Sequence, residues 1–247
     1  MSEFKDHFSG HANHYRAARP RYPAALFSAL AAHAPAHGLA WDAGCGNGQA
    51  SVALAAYFDL VHASDPSAPQ IASAEPHERV HYKVSPAEQC SLADASVDLV
   101  TVAQALHWFD VPRFHAEVRR VLKPGGVIAE WGYAECSVSR EIDEVCRFLY
   151  ADLLEPYWPP ERRHVERAYA DLEFPFAPLP MPQLAMRADW DLAQYLAYLQ
   201  SWSALQRYNK AEGHNPLDEL HARFAAAWGE PGAVRPVSWS LFVRVGR

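Results

Sequence analysis

The sequence predicts an α/β fold in which helices cover both faces of a mostly parallel β-sheet. Between about residues 39 and 133, short apolar runs alternate with amphipathic stretches. The run at residues 97–102 is almost continuously apolar, which is typical of a strand that is buried on both faces. A glycine-rich turn follows the first run, at residues 42–48. Strands that alternate with helices in this way indicate a doubly wound parallel sheet.

The elements of this region can be placed by their apolar periodicity and their boundary residues. We expect strands at residues 39–42, 60–65, 80–84, 97–102 and 127–131, and helices at residues 24–34 and 49–58. A further helix begins at Asp110 and Pro112, which are residue types that favour helix starts. It ends before Pro124, because a proline disfavours the helical conformation in the residue that precedes it.

The chain after residue 133 is helical, aromatic and rich in proline. The spacing of Leu192, Leu196, Leu199 and Trp202 predicts one long helix over residues 191–208. A second helix is expected over residues 216–228, and partial alternation predicts a closing strand at residues 237–245.

The composition argues against several classes of partner. The chain has 247 residues and a formal net charge of −7, and an acidic surface repels the phosphates of nucleic acids. No stretch approaches the ~20 apolar residues that cross a bilayer, and the first residues lack the apolar run of a signal peptide. The four cysteines do not have metal-ligand spacing. We therefore expect a reduced, cytoplasmic protein, a monomer or homodimer, with no nucleic-acid, membrane or metal partner.

The glycine-rich turn carries the most information about function. Its glycines, Gly44, Gly46 and Gly48, do not match the Gly-x-Gly-x-x-Gly spacing of a dinucleotide site. Asp42 precedes them, and a carboxylate there would repel a pyrophosphate but attract the ammonium group of an amino acid, directly or through water. S-adenosylmethionine carries an amino acid and a sulfonium but no phosphate, so it is the predicted cofactor. Cys45 lies within this site as a small filler.

A second acidic residue follows at the end of the second strand. Asp65 lies 23 residues after Asp42, and Pro66 comes next. A carboxylate at this place can accept hydrogen bonds from both ribose hydroxyls of an adenosine. The alternative for Asp65 is a helix cap or turn. We assign Asp65 and Pro66 to the cofactor site.

The sequence from about residue 41 to residue 133 resembles the Rossmann-like class of S-adenosylmethionine-dependent methyltransferases. Shorter motifs are similar to the trans-aconitate methyltransferase-like, type 11 branch: RPRYP at 19–23, QALHWF at 104–109, LKPGG at 122–126 and YLQSWS at 198–203. The resemblance implies a Rossmann-like seven-stranded sheet whose last strand, residues 237–245, is antiparallel. It also implies a helical insertion in the C-terminal half that caps the acceptor site.

The same resemblance implies further cofactor contacts in the loops after the third and fourth strands. The loop after the third strand would hold the adenine. Many relatives have an aspartate there, but this chain has Pro86, so the backbone of Ala87 or the side chain of Glu88 would serve instead. Gln104 and Ala105, after the fourth strand, would line the methionine side.

The resemblance further implies that the N-terminal segment folds over the cofactor. Tyr15 and Arg19 are the candidates there. Arg19 could pair with the methionine carboxylate or with an acidic acceptor, and its alternative is a surface salt bridge. We therefore expect one continuous domain with three parts: a helical cover at residues 1–38, a cofactor-binding core at 39–135, and an acceptor cap with the last strands at 136–247.

The methyl acceptor leaves more alternatives open. His107 is the candidate general base, and its alternative is a packing or hydrogen-bonding role beside Trp108. Trp108 could wall the acceptor pocket, face the sulfonium or anchor the following helix. Trp202 and Tyr208 are candidates for the acceptor site, although the periodicity alone places Trp202 in a core stripe. A carboxylate acceptor is already ionised and needs no base, whereas a phenol or an amine can require one.

These observations lead to three hypotheses of function. The first is methyl transfer from S-adenosylmethionine to a small molecule, such as a carboxylic acid of the aconitate type. The second is an O- or N-methyltransferase that acts on another class of small molecule. The third is a cofactor-binding protein that has lost catalysis. A dehydrogenase that uses NAD fits poorly, because the glycine spacing is wrong.

Overall fold

The computed structural model describes residues 19–247 as one sheet flanked by helices. The strands are β1 (Leu39–Ala43), β2 (Leu60–Asp65), β3 (Val80–Val84), β4 (Val97–Ala103), β5 (Leu122–Ser137), β6 (Leu184–Trp190) and β7 (Arg235–Gly246). The α-helices are α1 (Ala24–His33), α2 (Gln49–Leu54), α3 (Ala68–Ala72), α4 (Val111–Val121), α5 (Arg140–Arg147), α6 (Arg162–Glu166), α7 (Leu192–Gln200), α8 (Ser203–Glu212) and α9 (Pro216–Trp228). None of these helices is both long enough and apolar enough to cross a bilayer.

The sheet has seven strands in the order β3-β2-β1-β4-β5-β7-β6. The first five strands pair in parallel, and β7 pairs antiparallel with both β5 and β6. The order reverses at β1, so β1 and β4 form the switch point where ligands bind in open α/β sheets. The predicted fold class is confirmed, including the antiparallel last strand.

Both faces of the sheet are covered by apolar layers. Neighbouring residues on one strand belong to different core clusters: Ala40 packs in one cluster and Trp41 in the other. Leu99 and Val100 on β4 divide in the same way. Because successive side chains of a strand point to opposite faces, this division places a core on each side of the sheet. It also explains the continuously apolar sequence of β4.

The edge strand β6 is not predicted by the sequence. Within residues 19–247 it pairs only with β7, and Met186 is its one fully buried residue. An edge strand with so little burial needs no regular apolar pattern, so the sequence signal there is weak. The fifth strand is also longer than predicted, because its pairing with β7 continues to Ser137. The helix expected at residues 49–58 ends at Leu54.

The long helix predicted over residues 191–208 is wrong, because two helices occupy that stretch. Helix α7 ends at Gln200, where the Ser201 hydroxyl donates to the carbonyl oxygen of Tyr198 at 2.6 Å. Trp202 is extended (ψ 134°) and precedes α8. A serine that bonds back to the preceding turn competes with the helix ladder. The break turns the Trp202 indole toward the rings of Tyr150 and Trp158.

Candidate active site

A cleft of about 480 Å³ lies at the carboxyl ends of β1, β2 and β4. Its floor is the glycine-rich turn after β1, and its far wall comes from the segment after β5 and from α6 and α7. This is the edge of a parallel sheet at which the chain leaves each strand to enter a helix. The cleft therefore joins the predicted cofactor region to the C-terminal half of the chain.

The turn after β1 requires glycine for two physical reasons. Gly44 and Gly48 have φ angles of +68° and +85°, in the left-handed region that other residues disfavour. A Cβ on Gly44 would lie 2.8 Å from the Cβ of Ala105, and a Cβ on Gly48 would lie 2.1 Å from the Tyr82 hydroxyl. Neighbouring side chains therefore leave no room for a Cβ at Gly44 or Gly48. By contrast, a Cβ on Gly46 would meet only the side-chain oxygen of Gln70, at 3.9 Å, so this residue has open space for a ligand.

Asp65 joins this turn to the loop after β2. One carboxylate oxygen accepts from the backbone N–H of Gly46 at 2.9 Å, and the other accepts from the backbone N–H of Ser67 at 2.8 Å. Each carboxylate oxygen can accept more than one hydrogen bond, and the residue lines the cleft. Asp65 can therefore stabilise the turn and still accept hydrogen bonds from a ligand.

Asp42 lies beneath the turn and has no exposed surface. It accepts from the hydroxyl of Ser51 at 2.6 Å and from that of Thr101 at 3.0 Å. Burial raises the pKa of Asp42 from 3.8 to about 6, although these two hydrogen bonds oppose the shift. Asp42 does not line the cleft. Direct contact with an ammonium group is therefore wrong for this geometry, and any attraction must act through the turn or through water.

Gln104 holds β4 against β5 where the two strands diverge. It has a φ of +56°, which is uncommon for a residue with a Cβ. Its side-chain amide donates to the Tyr133 carbonyl at 2.8 Å and accepts from the Tyr133 N–H at 2.9 Å. Gly132 makes this approach possible, because a Cβ there would clash with the Gln104 side-chain oxygen. Strain of this kind persists when several contacts fix it, and it often lies at functional sites.

His107 lines the cleft from the 3₁₀ turn Leu106–Trp108. Its Nδ1 lies 3.0 Å from the hydroxyl of Tyr169, and its ring stacks obliquely on Trp108 with centroids 4.8 Å apart. Burial, together with the positive charge of Arg162, lowers the pKa of His107 to about 3. The imidazole is therefore neutral at physiological pH and a weak base.

Two arginines line the far wall of the cleft, each against an aromatic ring. Arg19 donates to the Tyr133 hydroxyl at 3.1 Å, and its guanidinium lies 5.6 Å from the ring centre of Tyr198. Arg162 lies 5.1 Å from the ring centre of Trp158, and its Nε donates to the Tyr150 hydroxyl at 3.1 Å. Within the described part of the chain, the terminal nitrogens of Arg162 have no hydrogen-bond acceptor. The Nε of Arg162 also lies 4.0 Å from the Glu166 carboxylate, so the terminal nitrogens are the part of the guanidinium that a ligand in the cleft could contact.

Comparison with known proteins agrees with this arrangement. The family described as "Methyltransferase domain" matches residues 41–129. A protein of Dictyostelium discoideum named "putative methyltransferase" is 32% identical over 231 residues, which cover 92% of this chain and 88% of that protein. The chain belongs to the S-adenosylmethionine-dependent methyltransferases.

Further relatives agree with this assignment. The solved structure of a "putative type II methyltransferase" from Anaeromyxobacter dehalogenans is 48% identical, with a TM-score of 0.87. The match covers 93% of this methyltransferase and 97% of that chain. The malonyl-[acyl-carrier protein] O-methyltransferase of Pectobacterium atrosepticum is 36% identical over 149 residues, 55% of this chain and 59% of that protein.

The residues of the cleft fit the nucleoside part of this cofactor. Ribose hydroxyls need acceptors, and Asp65 offers two carboxylate oxygens that can each accept more than one hydrogen bond. The side-chain oxygen of Gln70 is buried beside them and has no donor within residues 19–247. A buried acceptor without a donor is uncommon unless a ligand or water completes it. Asp65 and Gln70 therefore form an acceptor pair that a diol would satisfy.

The structure brings most of the predicted site residues of the methyltransferase into one cleft. The cleft is lined by Gly44, Cys45, Gly46, Asp65, Pro66, Ala87, Glu88, Gln104, Ala105, His107, Trp108, Trp202 and Arg19. Burial raises the pKa of the Cys45 thiol well above its usual range, so this thiol is unreactive and suits a filler. The Glu88 carboxylate accepts from the Asp110 N–H at 2.8 Å, which fixes its place at the cleft edge. Tyr15 lies outside the described residues.

Tyr208 is not brought to the cleft, and its prediction as an acceptor contact is wrong for this structure. Its hydroxyl lies 3.2 Å from Nε2 of His214, and its ring packs against Tyr157, with centroids 5.1 Å apart. The break before α8 changes the direction of this helix relative to the continuous helix that the sequence suggests. Trp202, at the break itself, does line the cleft.

Several cleft residues are missed by reasoning from the sequence. They are Tyr22, Gln70, Tyr133, Trp158, Arg162 and Tyr198. Tyr22 and Tyr198 lie within the short motifs at 19–23 and 198–203, so those motifs could have indicated them. Gln70 and Arg162 have no comparable local pattern.

Proposed function

We propose that this methyltransferase transfers the methyl group of S-adenosylmethionine to a carboxylate oxygen of a small organic acid. The observation that carries the proposal is Arg162, whose terminal nitrogens lie at the cleft without an acceptor among the described residues. A guanidinium offers two parallel N–H groups, which match the two oxygens of a carboxylate. A carboxylic acid of the aconitate type has the size and charge for such a site. The O-methyltransferase named for a malonyl group is a relative whose name fits an oxygen acceptor.

The cofactor would lie over the glycine-rich turn. Asp65 and Gln70 would accept hydrogen bonds from the ribose hydroxyls, while Ala87 and Glu88 border the adenine. Gln104 and Ala105 would border the methionine part. When bound, S-adenosylmethionine supplies a sulfonium-activated methyl group. The buried carboxylate of Asp42 adds negative charge beneath this position, which favours a cationic ligand.

The far wall would bind and orient the acceptor. Arg162 and Arg19 would attract an anion, and the rings of Trp108, Trp158 and Trp202 would exclude water around it. A carboxylate is already ionised at neutral pH, so the reaction needs no proton acceptor. His107, with its pKa of about 3, is too weakly basic to remove a proton from a phenol or an ammonium. The site therefore favours a preformed anion over an acceptor that must lose a proton.

The test is a panel of acceptors with detection of S-adenosylhomocysteine. The panel contains trans-aconitate, citrate, tricarballylate and a malonyl thioester, together with phenols and amines of similar size. We expect turnover with one or more of the acids. Turnover with an amine or a phenol, and with none of the acids, would contradict the proposal.

Two variants then test whether Arg162 binds the acid. Arg162→Gln should raise KM for the acid by about 10- to 100-fold, because a charge-assisted hydrogen bond contributes about 1.5–3 kcal/mol. Arg163→Gln is the matched control, since Arg163 is the exposed neighbour and does not line the cleft. Equal KM values for the two variants would remove Arg162 from the acceptor site.

A further inference from the structure

Tyr169 makes a hydrogen bond to His107 whose direction can be worked out. The hydroxyl of Tyr169 lies 3.0 Å from Nδ1 of His107, and Tyr169 has no exposed surface. A phenol has one proton to donate, and a buried hydroxyl is expected to use it. Within residues 19–247, Nδ1 of His107 is the acceptor that the structure offers to this hydroxyl. The phenol therefore donates, and Nδ1 carries no proton.

The neutral form of His107 follows from the groups that surround it. Burial raises the pKa of Tyr169, so the phenol keeps its proton. Arg162 and His164, both on α6, add to the effect of burial in lowering the pKa of the imidazole. A neutral imidazole without a proton on Nδ1 must carry it on Nε2. The nitrogen that remains for a ligand in the cleft is then an N–H donor.

Tyr169 is held in an unusual backbone conformation. Ala168 and Tyr169 have φ angles of +51° and +60°, which are uncommon for residues with a Cβ and more so for a bulky one. The N–H of Tyr169 donates to the His164 carbonyl at 2.8 Å. Arg244 on β7 donates to the carbonyl oxygens of Tyr169 and Leu172, at 2.8 Å each.

The sheet in turn fixes Arg244. Glu130 on β5 has no exposed surface, and its carboxylate accepts from Nε of Arg244 at 3.1 Å. The other carboxylate oxygen lies 2.7 Å from Nε2 of His115 on α4. A buried charge pair with complete hydrogen bonding is rigid, and a residue in a strained conformation needs such support. These hydrogen bonds connect the sheet to the turn at residues 168–169 and so fix the position of the Tyr169 hydroxyl.

We propose that Tyr169 is a positioning residue that fixes His107 as its Nε2–H tautomer, so that His107 contributes a neutral hydrogen-bond donor to the acceptor site. The anionic character of the acceptor rests on the proposed function. The tautomer rests on the hydrogen bond alone. His107 would thus orient an acceptor oxygen together with Arg162, without taking a proton from it. The strained turn at residues 168–169 does not line the cleft, but it would support the site by holding the Tyr169 hydroxyl against His107.

The first test measures the tautomer directly. Protein labelled with ¹⁵N at histidine is observed by NMR from pH 5.5 to pH 8, and the signals of His107 are those missing from His107→Gln. We expect Nε2 to be protonated and Nδ1 to be unprotonated throughout, in a ratio of at least about 10:1. In Tyr169→Phe, which keeps the ring and removes the hydroxyl, this ratio should fall toward equality. A protonated Nδ1 in the parent protein, or an unchanged ratio in Tyr169→Phe, would overturn the proposal.

The second test separates a donor from a base. The amide nitrogen of His107→Gln can occupy the place of Nε2–H but cannot accept a proton, whereas His107→Leu can do neither. With an acid that the panel identifies, we expect His107→Leu to raise KM by about tenfold and His107→Gln to restore most of that loss. Loss of kcat by 100-fold or more in both variants would overturn the donor role in favour of a base.

A titration covers the case in which no acid is turned over. Tricarballylate is added as an anionic probe to protein that holds S-adenosylhomocysteine, and the Nε2–H signal of His107 is followed. A shift of this signal that His164 does not share supports the donor role, and no shift overturns it. Failure of the whole acid panel would end the proposed function, while the NMR result would still decide the tautomer.

Discussion

Replacement of Asp42 by asparagine should increase stability and weaken cofactor binding at the same time. Asp42 is fully buried, and burial raises its pKa from 3.8 to about 6. When the pKa of an acid is higher in the folded than in the unfolded protein, protonation favours folding, and this contribution is complete below the unfolded pKa. This advantage is lost as the pH rises through the folded pKa. Above pH 6, the folded protein therefore contains a carboxylate whose ionisation opposes folding.

The magnitude follows from the two pKa values. A rise from 3.8 to about 6 corresponds to about 3 kcal/mol at pH 8, and to about half of that at pH 5. An asparagine side chain would be neutral at every pH, and the hydroxyls of Ser51 and Thr101 can accept from its amide as well as donate to it. We therefore expect Asp42→Asn to be more stable by about 1–3 kcal/mol at pH 8, with a smaller gain at pH 5.

The affinity should change in the opposite direction. At an effective dielectric constant of about 20, the loss of one buried charge near a cationic ligand costs about 1–2 kcal/mol. This corresponds to a rise in Kd for S-adenosylmethionine of about 10-fold. Urea unfolding at pH 5 and pH 8 measures the stability, and titration calorimetry measures the affinity.

A matched control is the same substitution on the neighbouring strand. Asp98 on β4 is also fully buried, but its carboxylate lies 2.8 Å from Nζ of Lys123 and accepts from two backbone N–H groups. Asp98→Asn breaks this pair, so it should lose about 2–4 kcal/mol of stability and leave cofactor affinity unchanged. If Asp42→Asn is less stable than the parent at pH 8, the argument from burial is refuted. An unchanged Kd would refute the electrostatic role.

Three further predictions concern the cofactor turn and the surface of α4. Asp65→Ala should raise Kd for S-adenosylmethionine by about 100-fold, since the proposed contact with two ribose hydroxyls would lose its acceptors. Cys45→Ala should change Kd by less than about fivefold in calorimetry, and equal values would contradict these roles. Gly48→Ala should lower Tm by about 5–12 °C in differential scanning calorimetry, because the added Cβ is both strained at φ +85° and in collision with a tyrosine hydroxyl. The hydrogen bond from Arg120 lowers the pKa of Glu117 from 4.5 to about 2, so its stabilisation is complete above pH 4.5 and is lost as the pH falls toward 2. Glu117→Gln should therefore flatten the loss of stability between pH 5 and pH 3 in urea unfolding; an unchanged slope would assign the acid sensitivity to other groups.

The parallel core of the fold could be predicted because its signals are local. Strands β2 and β3 begin and end at the predicted residues, and β4 is one residue longer than its apolar run. Each of these runs is marked by its own composition. The two helices α7 and α8 could not be separated in the same way, because Trp202 fits a continuous helical stripe. The break depends on the Ser201 hydroxyl and on aromatic partners more than 40 residues away, Tyr150 and Trp158.

The proposed cofactor-binding residues could also be predicted from local signals, whereas the proposed acceptor-binding residues could not. Residues 42–48 and Asp65 follow consecutive strands, so the order of the elements already places them at one edge. Arg162 and Tyr169 come from a segment without strand order to place it. Arg162 lines the cleft and Tyr169 lies behind it, and Arg244 and Glu130, which are 114 residues apart, join that segment to the sheet. Their role depends on tertiary contacts between residues that carry no distinctive pattern in the sequence.

The charges around the cleft also limit which interactions can increase kcat. In the proposed assignment, Asp65 lines the cofactor side above the buried Asp42. Arg19 and Arg162 line the acceptor side, where Glu161 offsets part of their charge. Methyl transfer between an anion and a cation neutralises both charges, so contacts that stabilise the separate ions stabilise the ground state more than the transition state. Additional cationic groups at the acceptor would therefore improve binding without increasing kcat. A guanidinium that lies against an indole and a neutral imidazole N–H provide orientation with limited charge. Rate enhancement must then come from alignment and from the exclusion of water by the tryptophans. On this basis, substitution of Arg162 should act on KM, whereas Trp108→Ala, which opens the wall to water, should lower kcat.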